Sequence, residues 1–367
     1  MPVPIVNLAR QHEPLTAELQ AAVGRVFAHS GFILGREVAD FEAAVARECG
    51  VTDAIGVASG SDALLLALHA LGIGPGDEVI VPTFTFFSTA SAVSRLGATP
   101  VFCDICTDTY NIDPVDTAAR ITARTRAILV VHLYGQMADM TAIMDLAYTH
   151  GLPVIEDAAQ AIGASLAGAP AGSCGDAGCI SFFPTKNLGA AGDGGMVVTS
   201  DPVLADMVQL LRGHGARPKY FNRIVGYNSR LDALQAAILG VKLPHAAEWS
   251  RRRRANADVY DRELAGVGDL VIPARTPDAY HIFHQYTLAT GKRDALLGHL
   301  RQAGIGTEVY YPQTLHLQEC YSYLHGKRGD CPVAERAAGQ VLSIPVFAEM
   351  TEDEQAEVID AIKAFFR

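Results

Sequence analysis

Short apolar segments alternate with helical patterns between residues 54 and 199, and this alternation constrains the fold more than any other feature of the chain. The apolar segments lie at 54–58, 78–82, 100–104, 127–132, 152–157, 179–183 and 194–199. Strands that are apolar on both faces and are joined through helices form parallel sheets, because each connecting helix covers one face of the sheet. The sequence therefore predicts an α/β fold, with a mostly parallel sheet of the seven-stranded type sandwiched by helices.

The pattern changes near Pro244, where the regular alternation of strands and helices ends. Upstream of the first strand, helices are predicted at 14–30 and 37–49. Downstream of Pro244, a long polar helix is predicted to reach Leu264, with strands near Leu270 and at 284–288 and helices at 293–303 and 352–366. We therefore expect a large domain over residues 1–243 and a smaller C-terminal α+β domain over residues 244–367.

The composition excludes several classes of function. The chain has a net charge of −11, which argues against nucleic acid as a general partner. No apolar stretch approaches the roughly 18 residues of a membrane-spanning helix. The first ten residues lack a basic segment followed by an apolar core, so we expect a cytoplasmic protein rather than a secreted one.

Two further patterns are interpreted as structural. The basic run at 251–254 follows Trp249 in a polar segment and is interpreted as a solvated helix face. Cys103 and Cys106 have the spacing of a redox or metal pair. No second pair and no histidine cluster completes a zinc site, so no bound metal is expected.

Lys186 is the first candidate for chemistry. It follows the predicted strand at 179–183, Pro184 ends that strand, and a glycine-rich stretch from Gly189 to Gly195 allows the backbone to turn tightly. A lysine that is fixed on rigid backbone and partly removed from water loses proton affinity. Its neutral amine can then form a Schiff base with a carbonyl compound. A solvated loop lysine is the simpler interpretation of this residue alone.

Three other segments end predicted strands with groups that suit a planar, anionic cofactor. Asp157 ends an apolar strand and, if buried, needs a positive partner such as a protonated ring nitrogen. Ser61 and Asp62 begin a helix whose free amides suit an anion, and an aromatic side chain among those at 84–87 could cover a ring. Together with Lys186 these are the parts that hold pyridoxal 5'-phosphate. Helix capping, core packing and pairing with an arginine are the alternatives for the individual residues.

The whole chain resembles the sugar aminotransferases of the DegT/DnrJ/EryC1/StrS family, which have the aspartate aminotransferase-like fold type I of pyridoxal phosphate enzymes. The resemblance is carried by motifs that occur in the family's order: Ser-Gly-Ser-Asp-Ala-Leu64, Pro-Thr-Phe-Thr-Phe86, Glu-Asp-Ala-Ala-Gln160, Ser-Phe-Phe-Pro-Thr-Lys186, Gly-Asp-Gly-Gly195 and Gly-Tyr-Asn-Ser-Arg230. It implies that Lys186 forms the imine, Asp157 pairs with the pyridine nitrogen, Gln160 neighbours the ring hydroxyl and Phe86 stacks on the ring. The implied phosphate contacts are Ser61, Asp62, Ser181 and, reaching the site of the other subunit, Asn228.

The resemblance also implies a reaction and an assembly. We expect amino transfer from L-glutamate to a keto group, at carbon 3, of a nucleotide-linked sugar, in a homodimer with shared active sites. Carbon 4 is the alternative position, while a dehydratase or a regulatory protein that kept the fold are the alternative functions. Family dehydratases replace the imine lysine by histidine, so Lys186 favours transamination. Predicted substrate contacts are Arg230, His281, Tyr310 and Tyr311, with His284 beside them.

Overall fold

The computed structural model describes residues 2–367 of the chain. Its α-helices are α1 (Leu8–His12), α2 (Thr16–His29), α3 (Arg36–Cys49), α4 (Gly60–Ala70), α5 (Ser88–Arg95), α6 (Pro114–Ala119), α7 (Met140–His150), α8 (Pro202–Arg212), α9 (Ala233–Lys242), α10 (Ala246–Leu264), α11 (Arg293–Gln302), α12 (Pro332–Gln340) and α13 (Glu352–Phe366). None of the helices in this part of the chain combines the length and the apolar character needed to cross a lipid bilayer.

The strands form one large sheet and two small ones. They are β1 (Asp53–Val57), β2 (Glu78–Pro82), β3 (Thr99–Cys103), β4 (Thr125–Val131), β5 (Val154–Asp157), β6 (Ser165–Leu166), β7 (Ala169–Pro170), β8 (Ala177–Ser181), β9 (Gly195–Thr199), β10 (Ala279–Tyr280), β11 (Tyr286–Ala289) and β12 (Val341–Ile344). The large sheet has seven strands in the order β1-β9-β8-β5-β4-β2-β3. Within it β9 runs antiparallel to both neighbours and the other pairs are parallel, which confirms the predicted sheet.

Successive residues of each strand face opposite sides of the sheet, so the apolar strands feed two separate cores. In β2, Val79 and Val81 pack into one core, which also holds the buried leucines of α4. Ile80, between them, packs into the other core, with side chains from α3, α7 and α9. Helices therefore cover both faces of the sheet, as the uninterrupted apolar strands predicted.

The C-terminal part of the chain builds a third core between α10, α11, α13 and the antiparallel pair β11 and β12. Val3 joins this core and pairs with Ile305, although it lies far away in sequence. The strand predicted near Leu270 is reduced to a single bridge between Val271 and Ala289. The division into domains at residues 243 and 244 stays a prediction.

Candidate active site

The predicted site residues follow strands that point in one direction. Because β1, β2, β4, β5 and β8 share this direction, their carboxyl ends lie at the same edge of the sheet. The ends of β1, β2, β5 and β8 lead into segments that the sequence analysis singled out, and the end of β4 leads into a segment that it did not. These segments contain Ser61, Phe86, Tyr134, Asp157 and Lys186.

Asp157 is a buried carboxyl group at the end of β5, with 6% of its surface exposed. Its Oδ2 accepts a hydrogen bond of 2.8 Å from the Thr89 hydroxyl, and its Oδ1 accepts one of 3.2 Å from the Ala159 amide. Burial raises the pKa of Asp157 above its ordinary value; these donors and the nearby charge of Lys186 oppose that rise but do not cancel it. None of the ion pairs formed among residues 2–367 includes this carboxyl group. It therefore suits a cation that the protein itself does not supply.

Lys186 lies five residues beyond β8 in a turn whose first hydrogen bond joins its amide to the Phe183 carbonyl at 2.8 Å. The side chain is half-buried. Removal from water lowers the pKa of Lys186 to about 8, and the negative charge of Asp157 acts in the opposite direction. A much larger fraction of this amine is neutral near pH 7 than for an exposed lysine, which makes it a competent nucleophile and base.

The loop that carries Lys186 is fixed on both sides. A Cβ at Gly189 would lie 2.2 Å from the Pro184 carbonyl oxygen, so only glycine allows this close turn. On the other side, Asn187 is buried and donates to the Ile282 carbonyl at 3.3 Å, while its Oδ1 accepts from His284 Nδ1 at 3.1 Å. Burial lowers the pKa of His284 well below its ordinary value, so its ring is neutral. The loop is thereby joined to the C-terminal part of the chain.

Gln160 and Tyr311 line the site beside Asp157. Gln160 Oε1 accepts from the Tyr134 amide at 2.7 Å, and its Nε2 donates to the Tyr311 hydroxyl at 3.1 Å. The Phe86 ring lies 6.3 Å from the Tyr311 ring and is 57% exposed. Phe86 therefore presents an open aromatic face at the same strand edge, as a ring-stacking residue requires.

The start of α4 provides the anion-binding end of the site. Ser59 caps the helix, and its backbone approaches the sheet so closely that a Cβ at Gly195 would lie 2.3 Å from the Ser59 carbonyl carbon. A Cβ at Gly60 would lie 2.6 Å from Ser181 Cβ, which brings that serine against the first turn of the helix. The Ser61 hydroxyl is 2.6 Å from that of Ser88. Hydroxyls and first-turn amides thus converge where an anion is favoured.

The direct contact between Asp62 and the cofactor stays a prediction, and the structure shows contacts of Asp62 within the protein. Its amide donates to the Ser59 hydroxyl at 3.1 Å, so it serves the helix cap. Its carboxylate accepts from the Ser229 hydroxyl at 2.8 Å and lies 3.5 Å from Arg95. Asp62 therefore links the helix start to the segment that contains Asn228, whose side chain is exposed.

The residues predicted to contact the sugar differ in how far they are buried. His281 is 3% exposed, its ring is stacked on Phe283 at 3.8 Å, and its Nδ1 accepts from the Phe283 amide. Burial lowers the pKa of His281 to about 3, so this ring is an uncharged part of the interior. A contact between His281 and a sugar stays a prediction that this burial does not favour.

Tyr310 and Arg230 are both partly exposed. The Tyr310 carbonyl accepts a hydrogen bond from the Tyr134 hydroxyl, which anchors the segment that carries Tyr311 beside Gln160. Arg230 lies two residues after Asn228, in the segment that Ser229 joins to α4. Both side chains stay predicted substrate contacts.

The sequence analysis did not identify the residues whose hydrogen bonds hold Asp157 and the Lys186 loop in place. Thr89 donates to Asp157, and Thr85 is hydrogen-bonded to Thr89; the two threonines lie four residues apart on either side of Phe86. Asn187 was missed although it directly follows Lys186. The available signal was a pair of hydroxyl residues at helical spacing next to a motif that had already been identified.

The arrangement fits pyridoxal 5'-phosphate. The unpaired buried carboxyl of Asp157 suits a protonated ring nitrogen, the first turn of α4 with Ser61 and Ser181 suits the phosphate, and Lys186 suits the aldehyde. Among the residues that the structure describes, no cluster of acidic, histidine or cysteine side chains could hold a metal ion.

Comparisons with known proteins give similarities along the entire chain. The model of the DegT/DnrJ/EryC1/StrS aminotransferase family matches residues 14–363. Among curated relatives, a "Pleiotropic regulatory protein" of Geobacillus stearothermophilus is 50% identical, covering 100% of this chain and 99% of that protein. A UDP-N-acetyl-3-dehydro-α-D-glucosamine 3-aminotransferase of Acidithiobacillus ferrooxidans is 48% identical, covering 98% of this chain and 97% of that protein.

Solved structures agree with these similarities. Streptomyces venezuelae DesV, in complex with a ketimine intermediate, superposes with a TM-score of 0.98 at 45% identity and covers 100% of this chain and 99% of its own. Bacillus subtilis NtdA, with bound cofactor PMP, superposes with a TM-score of 0.93 at 31% identity, covering 100% of this chain and 85% of its own.

Proposed function

Since this chain belongs to the DegT/DnrJ/EryC1/StrS aminotransferase family, we propose that it transfers the amino group of L-glutamate to carbon 3 of a nucleotide-linked keto sugar. The chain is a pyridoxal phosphate-dependent nucleotide-sugar aminotransferase, as its relatives and structural neighbours indicate. The glutamate donor and the position of the keto group are the finer parts of the proposal. The 3-aminotransferase relative, at 48% identity, supports carbon 3 rather than carbon 4.

One observation carries the proposal: a lysine with a pKa lowered to about 8 lies at the same strand edge as a buried carboxyl group that forms no ion pair with any residue among 2–367. Desolvation of a lysine that has only a structural role does not stabilise the fold. Burial of a carboxylate without an ion-pair partner destabilises the folded state by several kcal/mol. Lys186 and Asp157 together therefore match a ligand that has an aldehyde at one end of a ring and a basic nitrogen at the other.

Asp157, Phe86 and Lys186 would each have a separate role, set by their positions in the site. Bound pyridoxal phosphate supplies an electron-accepting ring for the chemistry at the substrate carbon. Asp157 would hold the proton of the ring nitrogen, while Phe86 would cover one ring face. Lys186 Nζ, partly neutral near pH 7, would remove the proton from the α-carbon of glutamate, and its protonated form would return one to the sugar carbon.

A two-stage assay tests this function. Protein loaded with cofactor and mixed with L-glutamate alone would form one equivalent of 2-oxoglutarate, measured by coupled enzymatic detection. Adding a 3-keto nucleotide sugar would then restore the starting cofactor spectrum and yield an amino sugar, identified by mass spectrometry. Lys186→Ala would still fold but form no 2-oxoglutarate. Turnover by this variant would refute the role of Lys186.

A matched pair of acceptors tests the position of transfer. The same nucleotide should be supplied with a keto group at carbon 3 in one sample and at carbon 4 in the other. The proposal expects the 3-keto compound to be aminated at least about 100-fold faster, since a misplaced reacting atom loses this much rate. Faster reaction of the 4-keto sugar would support the alternative position.

We also propose a homodimer with shared active sites. Asn228 is exposed, yet its neighbour Ser229 contacts the start of α4 through Asp62. The same loop exposes Tyr220, Phe221 and Val225 by 82%, 69% and 90%, which favours burial against a second copy. Mixing inactive Lys186→Ala with Asn228→Ala under subunit exchange would restore activity if each site draws residues from both chains.

The relative with a regulatory name, at 50% identity, makes a regulatory protein the second candidate. A regulatory role without chemistry requires neither a desolvated Lys186 nor an unpaired Asp157. Production of 2-oxoglutarate from glutamate separates the two functions, because a protein that only binds a ligand forms none.

A further inference from the structure

Thr85, Thr89 and Asp157 form a buried chain of hydrogen bonds behind the cofactor site. Their exposed fractions are 3%, 0% and 6%. The Thr89 hydroxyl lies 2.8 Å from Asp157 Oδ2, and the Thr85 hydroxyl lies 3.1 Å from that of Thr89. Thr85 directly precedes Phe86 and Thr89 is the second residue of α5, so one short segment carries both the aromatic side chain and the hydroxyl chain.

When Asp157 is ionised, only one assignment of donors and acceptors satisfies the hydrogen bonds between Thr85, Thr89 and Asp157. A carboxylate only accepts hydrogen bonds, so Thr89 must donate its single hydroxyl proton to Oδ2. Thr89 then has no proton left for Thr85, and Thr85 donates to Thr89 instead. The Ala159 amide donates to Oδ1 at 3.2 Å, so both oxygens are held and the plane of the carboxylate is fixed.

We propose that Thr89, supported by Thr85, is a positioning residue that fixes the Asp157 carboxylate for the ring nitrogen of pyridoxal phosphate. This inference rests on the proposed role of Asp157 as the partner of that nitrogen. Hydrogen bonds to the charged form favour ionised Asp157 over protonated Asp157. A carboxylate held in this way leaves the shared proton on the ring, where it increases the electron-accepting capacity of the cofactor.

A pair of ligands isolates this interaction. The cofactor-free full-length protein should be titrated with pyridoxal 5'-phosphate and with 1-deazapyridoxal 5'-phosphate, in which a C–H group replaces the ring nitrogen. Both ligands keep the aldehyde for Lys186 and the phosphate for α4, so contributions from those contacts cancel in the ratio of the two dissociation constants. Equilibrium dialysis measures both constants without any turnover.

Thr89→Val keeps the branched shape and removes the hydroxyl. It should weaken binding of pyridoxal phosphate about tenfold, as expected for loss of a hydrogen bond to a charged group, and leave binding of the deaza compound unchanged. Thr85→Val, one bond further away, should weaken pyridoxal phosphate binding about threefold. Thr89→Ser restores the donor and should restore the wild-type ratio.

The control variant is Ser94→Ala. It removes from the same helix a hydroxyl that donates to the Ala90 carbonyl at 3.4 Å and takes no part in the hydrogen bonds to Asp157. It should leave both constants unchanged. If Thr89→Val weakens both ligands equally, or neither, the inference is overturned. The Asp157→Asn variant distinguishes a failure of the proposed role of Thr89 from a failure of the proposed role of Asp157. If Asp157→Asn loses the preference for pyridoxal phosphate while Thr89→Val keeps it, only the role of Thr89 fails. If Asp157→Asn itself keeps the preference, the proposed role of Asp157 fails as well.

Discussion

The reactivity of Lys186 can be tested in the protein without its cofactor. Desolvation lowers its pKa from 10.5 to about 8. At pH 7 a pKa of 8 leaves about one tenth of the amine neutral, whereas a pKa of 10.5 leaves about 0.03%. The neutral fraction therefore rises about 300-fold, and the rate of any reaction that requires the neutral amine should rise with it.

Competitive labelling with acetic anhydride measures this fraction at a single lysine. The extent of acetylation of the peptide that contains Lys186 is followed by mass spectrometry between pH 6 and pH 11, with exposed Lys292 as the reference for reagent hydrolysis. The labelling rate of Lys186 should rise tenfold per pH unit below about pH 8 and become constant above it.

The charge of Asp157 provides a second, independent test, because it determines the direction in which the pKa of Lys186 moves when that charge is removed. Its negative charge favours the protonated amine and so raises the pKa of Lys186. Asp157→Asn removes that charge, so the labelling midpoint should move below pH 8. A midpoint near 10.5 in the wild-type protein, or an upward movement in Asp157→Asn, would contradict the argument from burial and charge.

Three stability predictions follow from individual contacts, each measured by urea unfolding. Gly195→Ala should destabilise the protein by more than about 2 kcal/mol, because the added Cβ would lie 2.3 Å from a Ser59 backbone atom. The control is Gly240→Ala, where the added Cβ meets no atom within 4 Å in α9; this change should be neutral or stabilise the protein by up to about 1 kcal/mol. Glu156→Gln should cost about 3 kcal/mol, because a buried carboxylate that accepts from three amides and one imidazole would be replaced by a group that also donates. Thr351→Ala should cost about 1 kcal/mol through loss of the capping box of α13.

Regular elements were predicted well because local patterns decide them. The predicted bounds of the helix at 352–366 agree with α13, and the strand at 78–82 agrees with β2. The sequence supported no prediction where contacts between distant segments decide the structure. α12 begins against the Asp104 carboxylate, which caps it from another part of the chain, and no prediction was made there.

The basic run at 251–254 is a similar case. Arg251 and Arg252 are exposed and pair with Glu248, as a solvated helix face requires. Arg253 is 5% exposed and donates to the carbonyls of Phe283 and His284, which contradicts that interpretation for this residue. The sequence shows four equal charges, but only packing determines which of them lies inside.

The sequence by itself determined the mostly parallel sheet and the family, and it predicted which residues bear chemistry, because strand periodicity and motifs are read directly along the chain. Tertiary structure alone decided how these residues act. Burial, which depends on every surrounding element, lowers the pKa of Lys186 and raises the pKa of Asp157. Hydrogen bonds from Thr89 and Asn187 depend on distances between segments that no local pattern records.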